Sequence, residues 1–167
     1  MSRGTELDHG LADVGVEPSL GEIGLSSFIP YLLNRISSSW NMELQDPLRR
    51  QKLNTVRMRT LAVLTIKNGL SIKELIQLTV IEQSTLSRAL DALENQGMIE
   101  RIASEDDRRV RTIHITEDGR ASFARLWPDM HREYQDMLAG IDEDERLALI
   151  QTLHKILKNF GIREPGK

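Results

Sequence analysis

The hydrophobic positions near the start of the chain follow the period of an α-helix. Between Leu25 and Leu44 they recur three or four residues apart, which predicts an amphipathic helix that the pair Asp46-Pro47 interrupts. The segment Leu48–Lys52 carries three basic residues and is interpreted as a connector. Residues 1–24 show no sustained periodicity and predict a flexible N-terminal arm. The helical stripe comprises Phe28, Ile29, Leu32, Leu33, Ile36 and Trp40.

Capping residues divide the next segment into three further helices. Asn54 is a good N-cap for the second helix, and Asn68-Gly69 ends it. Ser71 followed by Glu74 is a capping-box pattern that starts the third helix. The fourth helix is predicted from Glu82 to Gln96. The positions expected to face the core are Val56, Leu61, Val63, Leu64 and Ile66 in the second helix, Leu75, Ile76 and Leu78 in the third, and Leu86, Ala89, Leu90 and Leu93 in the fourth.

A β-hairpin is predicted after the fourth helix. The segments Met98–Ala103 and Arg111–Thr116 alternate between apolar and polar residues, although Ile99 and Ile102 do not share a strand face and leave the register open. Helix, turn, helix and hairpin over Ser71–Thr116 is the order of a winged helix-turn-helix, whose second helix enters a DNA major groove. The predicted fold is therefore mainly α (α+β class), with two more helices after the hairpin.

Those two helices carry long apolar stripes. Thr116 starts the fifth helix, Pro128 is expected to kink or restart it, and Asp142 caps the sixth. Together with the first helix, these stripes exceed what one small winged helix can cover, which predicts a homodimer; an intramolecular cap on the core is the alternative. The stripe residues are Phe123, Trp127, Met130, Tyr134, Met137 and Ile141, followed by Leu147, Ile150, Leu153, Leu157 and Phe160.

Composition narrows the class of protein. The sequence of 167 residues contains no cysteine, which excludes disulfides and thiol chemistry and is compatible with a cytoplasmic protein. Its apolar runs are too short to cross a bilayer, and it lacks the apolar core of a signal peptide. The formal net charge is -3, so any DNA binding depends on where the basic groups lie and not on the overall balance.

Two stretches carry candidate DNA-binding chemistry. Gln83–Arg88 opens the fourth helix with small polar residues that approach phosphates and base edges closely, and ends in an arginine suited to guanine or phosphate. In Ser104–Arg109, an arginine at the hairpin tip suits a narrow minor groove, and Asp107, two residues before Arg109, is placed to orient it. Taken singly, the first stretch also fits ordinary capping residues, and the second a solvated loop.

Four short motifs follow one another along the chain, at Ser84–Arg88, Leu93–Arg101, Ser104–Arg109 and Ile115–Gly119. With these motifs, the chain from Phe28 to Phe160 resembles the MarR family of transcriptional regulators. At the same places the family's signature has a recognition helix like S-T-[VL]-[ST]-R, then L-E-x-x-G-[LM]-[IV]-x-R, D-P-x-D-R-R and L-T-x-x-G. Their combination is more specific than any one of them.

The resemblance implies a set of DNA contacts. Ser84, Thr85, Ser87 and Arg88, together with the neighbouring Gln83, would face the major groove. At the wing tip Arg109 would enter the minor groove, held by Asp107 and with Arg108 beside it. The sequence departs from the family at Ser104-Glu105, which replace Asp-Pro, at Val80, where a glycine commonly turns the chain, and at Glu82, a weaker N-cap than Asp or Ser.

The resemblance also implies an effector pocket between the DNA-binding lobe and the dimerisation helices. Trp40, Arg57 and His131 are the candidates for it, and a small aromatic or acidic compound is the expected ligand. No catalytic or metal site is predicted, because the four histidines are dispersed and neither a phosphate loop nor a nucleophile elbow is present. No cofactor is expected.

The sequence thus predicts a ligand-responsive repressor that binds a pseudo-palindromic operator as a homodimer. Residues 25–163 would form one unit, with the winged helix at 54–118 and dimerisation helices at 25–45 and 119–161. A winged-helix protein–protein interaction module without DNA binding is the main alternative, favoured by the acidic Ser104–Asp106 tip. A small cytosolic hydrolase is a second alternative that lacks a recognisable catalytic constellation. The partners expected are double-stranded DNA and a second copy of the chain. No association with a membrane is expected.

Overall fold

The computed structural model describes residues 17–103 and 111–162, and these form two compact units, one ending at Ser39 and the other beginning at Trp40. The described residues are mostly helical and include a small antiparallel sheet. The helices are α1 Leu20–Ile23, α2 Ile29–Glu43, α3 Gln45–Arg50, α4 Thr55–Ile66, α5 Ile72–Thr79, α6 Gln83–Asn95, α7 Glu117–Met137 and α8 Glu143–Asn159, and the strands are β1 Leu70–Ser71, β2 Ile99–Ala103 and β3 Arg111–Ile115. The predicted winged helix-turn-helix fold of the mainly α class is confirmed.

The first unit contains α1, a 3-10 turn at Leu25–Ser27 and most of α2. Helix α1 lies inside the segment expected to be an arm, where Ser19 and Glu22 form a capping box. The predicted first helix begins at Ile29 and not at Leu25, because Phe28 is extended and Pro30 falls in the first turn, where its missing N–H is tolerated. Residues 1–16 of the expected arm lie outside the described residues.

Helix α3 corrects the prediction of a connector at Leu48–Lys52. Pro47 lies in its first turn, a position where proline is compatible with a helix, so the break expected at Asp46-Pro47 separates two helices. The side chains of Pro47 and Leu48 are buried, and this packing explains how so short a helix persists. The Arg50 guanidinium also donates to Asp129 on α7 at 2.8 Å.

The sheet has the order β1-β3-β2, and all its pairs are antiparallel. Ile99 is buried and Ile102 is exposed, which settles the register that the sequence left open. Strand β1 was not predicted; its two residues are too few to show a period. The residues just before β1 also bond to β3. Gly69 N–H donates to Ile113 O at 3.1 Å, and Ile115 N–H donates to the Asn68 side chain at 2.9 Å.

One hydrophobic core underlies the helix-turn-helix and the sheet. The predicted inward faces of α5 and α6 are confirmed, whereas Ile66 at the end of α4 is 89% exposed. The buried stripe of α4 follows Met58, Leu61 and Leu64, and Ile66 falls off this i, i+3 line. The largest fully buried apolar side chains are Leu44, Leu61, Leu64, Leu70, Leu75, Leu86, Leu90, Leu93, Ile113 and Leu126.

Helix α7 is one element across Pro128, so the predicted restart is wrong. Leu126 and Met130 are buried on either side of the proline, and this packing holds both halves in one helix. At its start Thr116 is the N-cap, as predicted. Gly119 is required there because a Cβ would lie 2.1 Å from the carbonyl oxygen of Met98.

Candidate nucleic-acid interface

The turn between α5 and α6 is closed by Val80. Its φ of 52° and ψ of 45° put it in the left-handed region, and its side chain is 82% exposed. That conformation explains why a glycine is the residue expected at this place, since a β-branched residue adopts it only with strain. The next residue, Ile81, is buried and anchors the turn to the core. A valine therefore still forms a turn of the helix-turn-helix type.

The amino-terminal half of α6 presents the candidate base-reading residues. The side chains of Gln83, Ser84 and Arg88 are exposed, and those of Thr85 and Ser87 are half-buried. The opposite face carries the buried Leu86, Ala89, Leu90 and Leu93. The helix therefore has a core face and, at its start, a solvent-exposed polar outer face, as the sequence predicted.

Glu82 caps α6 more completely than the sequence indicated. Its two carboxylate oxygens accept from the backbone N–H of Ser84 at 2.9 Å and of Thr85 at 3.1 Å, and the Ser84 hydroxyl donates to it as well. The Ser84 hydroxyl, followed by the two backbone N–H groups, lowers the pKa of Glu82 from 4.5 to about 2. A permanent negative charge thus lies at the start of the candidate recognition helix.

Arg88 folds back along the same helix. Its Nε donates to the carbonyl oxygen of Ser84 at 3.3 Å, which places the guanidinium near the amino-terminal turn. Its Nη groups make no hydrogen bond or ion pair to any other residue that the structure describes. The terminal donors of Arg88 are therefore available to an external acceptor such as a phosphate or a guanine.

The wing is attached to α6 by Arg101 on β2. Its guanidinium donates to Asp91 at 2.7 Å and to Glu94 at 2.6 Å, and its side chain is only 22% exposed. Sequence reasoning placed Arg101 in a family motif without assigning it a contact. The available signal was the i, i+3 spacing of Asp91 and Glu94 on the outer face of α6, followed by an arginine in the next strand.

The wing-tip residues Asp107, Arg108 and Arg109 lie outside the described residues, as do Ser104 to Asp106. The strands that lead to the tip are described as far as Ala103 and Arg111, which are paired in the antiparallel register. The predicted minor-groove contact and the orienting role of Asp107 remain predictions.

The three candidates for an effector pocket lie in different surroundings. Trp40 is half-buried against the core, Arg57 is half-buried in the first turn of α4, and His131 is exposed on α7. The His131 ring lies 5.8 Å from that of Trp127 and 6.5 Å from that of Tyr134, measured between centroids. Among the described residues, no hydrogen bond, ion pair or ring contact joins Trp40, Arg57 and His131.

Residues 17–103 and 111–162 contain no group of three or more His, Asp or Glu side chains arranged to hold a metal ion. None of the helices in the same residues is both long enough and apolar enough to span a membrane.

The fold and the exposed start of α6 define a winged helix-turn-helix protein. A sequence model of the MarR family matches residues 51–110. A MarR-family transcriptional regulator from Silicibacter pomeroyi is 41% identical, with a TM-score of 0.82 over 89% of this chain and 100% of that one. The regulator PecS of Dickeya dadantii is 29% identical over 89% of this chain and 86% of its own.

The transcriptional repressor CouR, solved bound to a 23-mer DNA duplex, is 27% identical, with a TM-score of 0.70 over 84% of this chain and 99% of that one. The chain belongs to the MarR family. It is a DNA-binding transcriptional regulator and not an enzyme, since the relatives are regulators.

Proposed function

We propose that this regulator is a homodimeric repressor that binds a pseudo-palindromic operator and responds to a small effector. The observation that carries the proposal is the exposed polar start of α6, attached to a wing by Arg101. Two such helices in a symmetric dimer would meet successive major grooves of an operator whose half-sites repeat after about one helical turn of DNA. Repression is supported by the likeness to CouR, a repressor solved on DNA.

The proposed contacts lie in both grooves of the duplex. Gln83, Ser84, Thr85, Ser87 and Arg88 would face the major groove, where Arg88 would reach a guanine or a phosphate. Arg109, oriented by Asp107 and accompanied by Arg108, would enter the minor groove. Because arginine contacts to phosphate displace counterions, the affinity should fall with salt by a slope of about 0.9 per phosphate neutralised.

The dimer would form through the terminal helices. In the first unit, every large hydrophobic residue of α1 is exposed, and so are Ile29, Leu32, Leu33 and Ile36 of α2. In the second unit, no residue of α8 is buried, and its exposed apolar side chains include Leu147, Ile150 and Leu157. Each of these helices thus presents several exposed large apolar side chains, and such side chains are typical of an interface.

An aromatic or acidic effector is supported by α7. Phe123, Trp127, His131 and Tyr134 form a row of rings with successive centroids 6.3, 5.8 and 6.5 Å apart. Flat aromatic ligands stack on such rings, and the half-buried Arg57 would pair with a carboxylate if a ligand brought them together. The ligand would have to bind the DNA-free and DNA-bound conformations with different affinities, since only differential affinity shifts an equilibrium.

A salt-titrated mobility shift with the DNA upstream of the protein's own gene tests the proposal. We expect sequence-selective binding that weakens with salt and is lost in the double variant Arg88→Ala, Arg109→Ala. Salt-independent binding, or binding that survives both substitutions, would contradict it. Lack of any DNA binding would instead favour the alternative of a protein–protein interaction module.

Two further measurements address the assembly and the effector. Sedimentation at micromolar concentration should show a dimer, and a single species of 19.0 kDa would contradict the homodimer. A thermal-shift screen of phenolic and carboxylic compounds should find a stabilising ligand that also releases DNA. We expect the protein to act in the cytoplasm, where it would meet chromosomal DNA.

A further inference from the structure

The start of α6 is already occupied by a carboxylate of the protein's own chain. A helix N-terminus normally offers its free backbone N–H groups to an anion such as a phosphate. Here the N–H groups of Ser84 and Thr85, together with the Ser84 hydroxyl, all donate to Glu82. A DNA phosphate cannot take the same donors, and the charge of Glu82 would repel it from this turn.

The geometry of the carboxylate leaves one acceptor position open. An ionised carboxylate has about four lone-pair positions on its two oxygens. Oε2 accepts from the Ser84 hydroxyl and from Thr85 N–H, Oε1 accepts from Ser84 N–H, and the Thr85 side chain adds a weaker interaction with the carboxylate. These contacts hold the exposed carboxylate in a fixed direction, and Oε1, which accepts the smaller share of them, can accept from an external donor.

The base edges of the major groove offer few donors to such an acceptor. Cytosine presents its N4 amino group there, and glutamate accepting from cytosine N4 is an established type of direct readout. The exposed Arg88, whose Nε donates to the Ser84 carbonyl oxygen, is suited to guanine, whose O6 and N7 are acceptors. An acidic and a basic side chain in the amino-terminal half of one helix would thus match the donor and the acceptor edges of G·C pairs.

We propose that Glu82 is a specificity-determining residue that reads a cytosine through Oε1 and keeps phosphate away from the start of α6. Ser84 then acts as a positioning residue, because its hydroxyl and N–H fix the carboxylate. The inference rests on the proposed entry of α6 into the major groove. Glu82, which the sequence alone suggests is a weak helix cap, would thus make a selective contact in each half-site.

The test is a selection of binding sites from a random DNA library with the full-length protein, followed by replacement of each G·C pair of the selected site in turn. The variants are Glu82→Gln and Glu82→Ser; serine keeps a strong N-cap and removes the carboxylate. Glu145→Gln is the matched control, since it removes a carboxylate from the capping box of α8 with the same change of charge. Thermal melts followed by circular dichroism establish that each variant is folded.

In the wild type we expect one G·C pair in each half-site to depend on Glu82. Its replacement should weaken binding by at least about fivefold, which is the lower end of the discrimination that one specific base contact provides. That penalty should vanish in both Glu82 variants and persist in Glu145→Gln, while the penalties at other positions remain. Removing the charge should also steepen the salt dependence of binding to non-specific DNA, because salt no longer relieves a repulsion between Glu82 and phosphate.

Unchanged penalties and slopes in folded Glu82 variants would overturn this inference alone. A uniform loss of affinity at all positions would also overturn it, since Glu82 would then only support the helix. A wild-type protein that selects no sequence would overturn the proposed function together with the inference, so the two failures are distinguishable.

Discussion

The guanidinium of Arg101 on β2 donates to the carboxylate of Glu94 on α6 at 2.6 Å. The same guanidinium also pairs with Asp91, so one half-buried cation joins the wing to the exposed side of the candidate recognition helix. A charge-assisted pair of this kind is stronger than a neutral hydrogen bond and fixes direction as well as distance. It holds the wing strand β2 and the candidate recognition helix in one orientation.

We therefore expect Arg101→Gln to weaken both folding and DNA binding. Loss of the pairs should lower the free energy of unfolding by about 1–2 kcal/mol, because Asp91 and Glu94 remain without their cation. Urea denaturation and a mobility shift measure the two effects. Arg49→Gln is the control, since its pair with Asp46 is almost fully exposed and should contribute less than about 0.5 kcal/mol. Equal losses of stability and of DNA binding in the two variants would contradict this role of the Arg101 pairs.

Gly119→Ala should destabilise the start of α7. The added methyl would lie 2.1 Å from the Met98 carbonyl oxygen and 2.8 Å from Cγ1 of Ile115, so the backbone must move. We expect a loss of about 2–3 kcal/mol in the free energy of unfolding measured by urea denaturation, the upper part of the range for overpacking. Gly21→Ala is the control: its Cβ meets nothing closer than 3.8 Å, and alanine favours a helix. A Gly119→Ala protein as stable as wild type would contradict the close approach of Gly119 to the Met98 carbonyl oxygen.

Val80→Gly should stabilise the protein. A left-handed conformation costs an L-residue about 1–2 kcal/mol, whereas glycine adopts it freely and loses about 0.5–1 kcal/mol of chain entropy. The exposed valine side chain gives up little burial, so a net gain of up to about 1 kcal/mol is expected in thermal melts. Val80→Ala keeps a Cβ at the same φ and should gain less. Destabilisation by Val80→Gly would show that the valine side chain contributes packing at the turn.

The low pKa of Glu82 predicts a pH dependence of stability. Because the hydrogen bonds from Ser84 and Thr85 lower the pKa from 4.5 to about 2, the folded state binds this proton less readily than the unfolded state. Its contribution is complete above the unfolded pKa and is lost as the pH falls through the folded one. Urea midpoints of wild type and Glu82→Gln should therefore differ by a constant amount above about pH 5 and converge between 4.5 and 2. A constant difference down to pH 2 would contradict the shift.

The sequence predicted the elements that local chemistry specifies. Asn54, Ser71, Thr116 and Asp142 each cap the helix assigned to them, because a cap depends on donors no more than three residues away. The amphipathic face of α6 was equally predictable from its 3.6-residue period.

What the sequence missed is either too short or too distant to show a pattern. Strand β1 has two residues, and α3 is kept by the burial of Pro47 and Leu48. The contact of Arg101 with Asp91 joins two elements over ten positions. The spacing of Asp91 and Glu94 shows two acids on one helix face, but no helix or strand period shows that Arg101 reaches them. In the candidate site, the identity of the outward residues of α6 was predictable. The diversion of the Ser84 hydroxyl to Glu82 was not, because it depends on side-chain rotamers.

The end of α6 and the start of α7 are tied through Thr116. Its N–H donates to the Met98 carbonyl at 3.1 Å, its hydroxyl donates to the Gly97 carbonyl at 2.6 Å, and the same hydroxyl accepts from Gly119 N–H at 3.1 Å. Helix α7 has 21 residues and is therefore about 30 Å long. Because its first turn is held in this way and its middle packs on the core through Leu126 and Met130, a tilt of the helix by roughly 5° would move its far end by about 2.5 Å. A small displacement at that far end would in turn be delivered to the last turn of α6 as a change of angle.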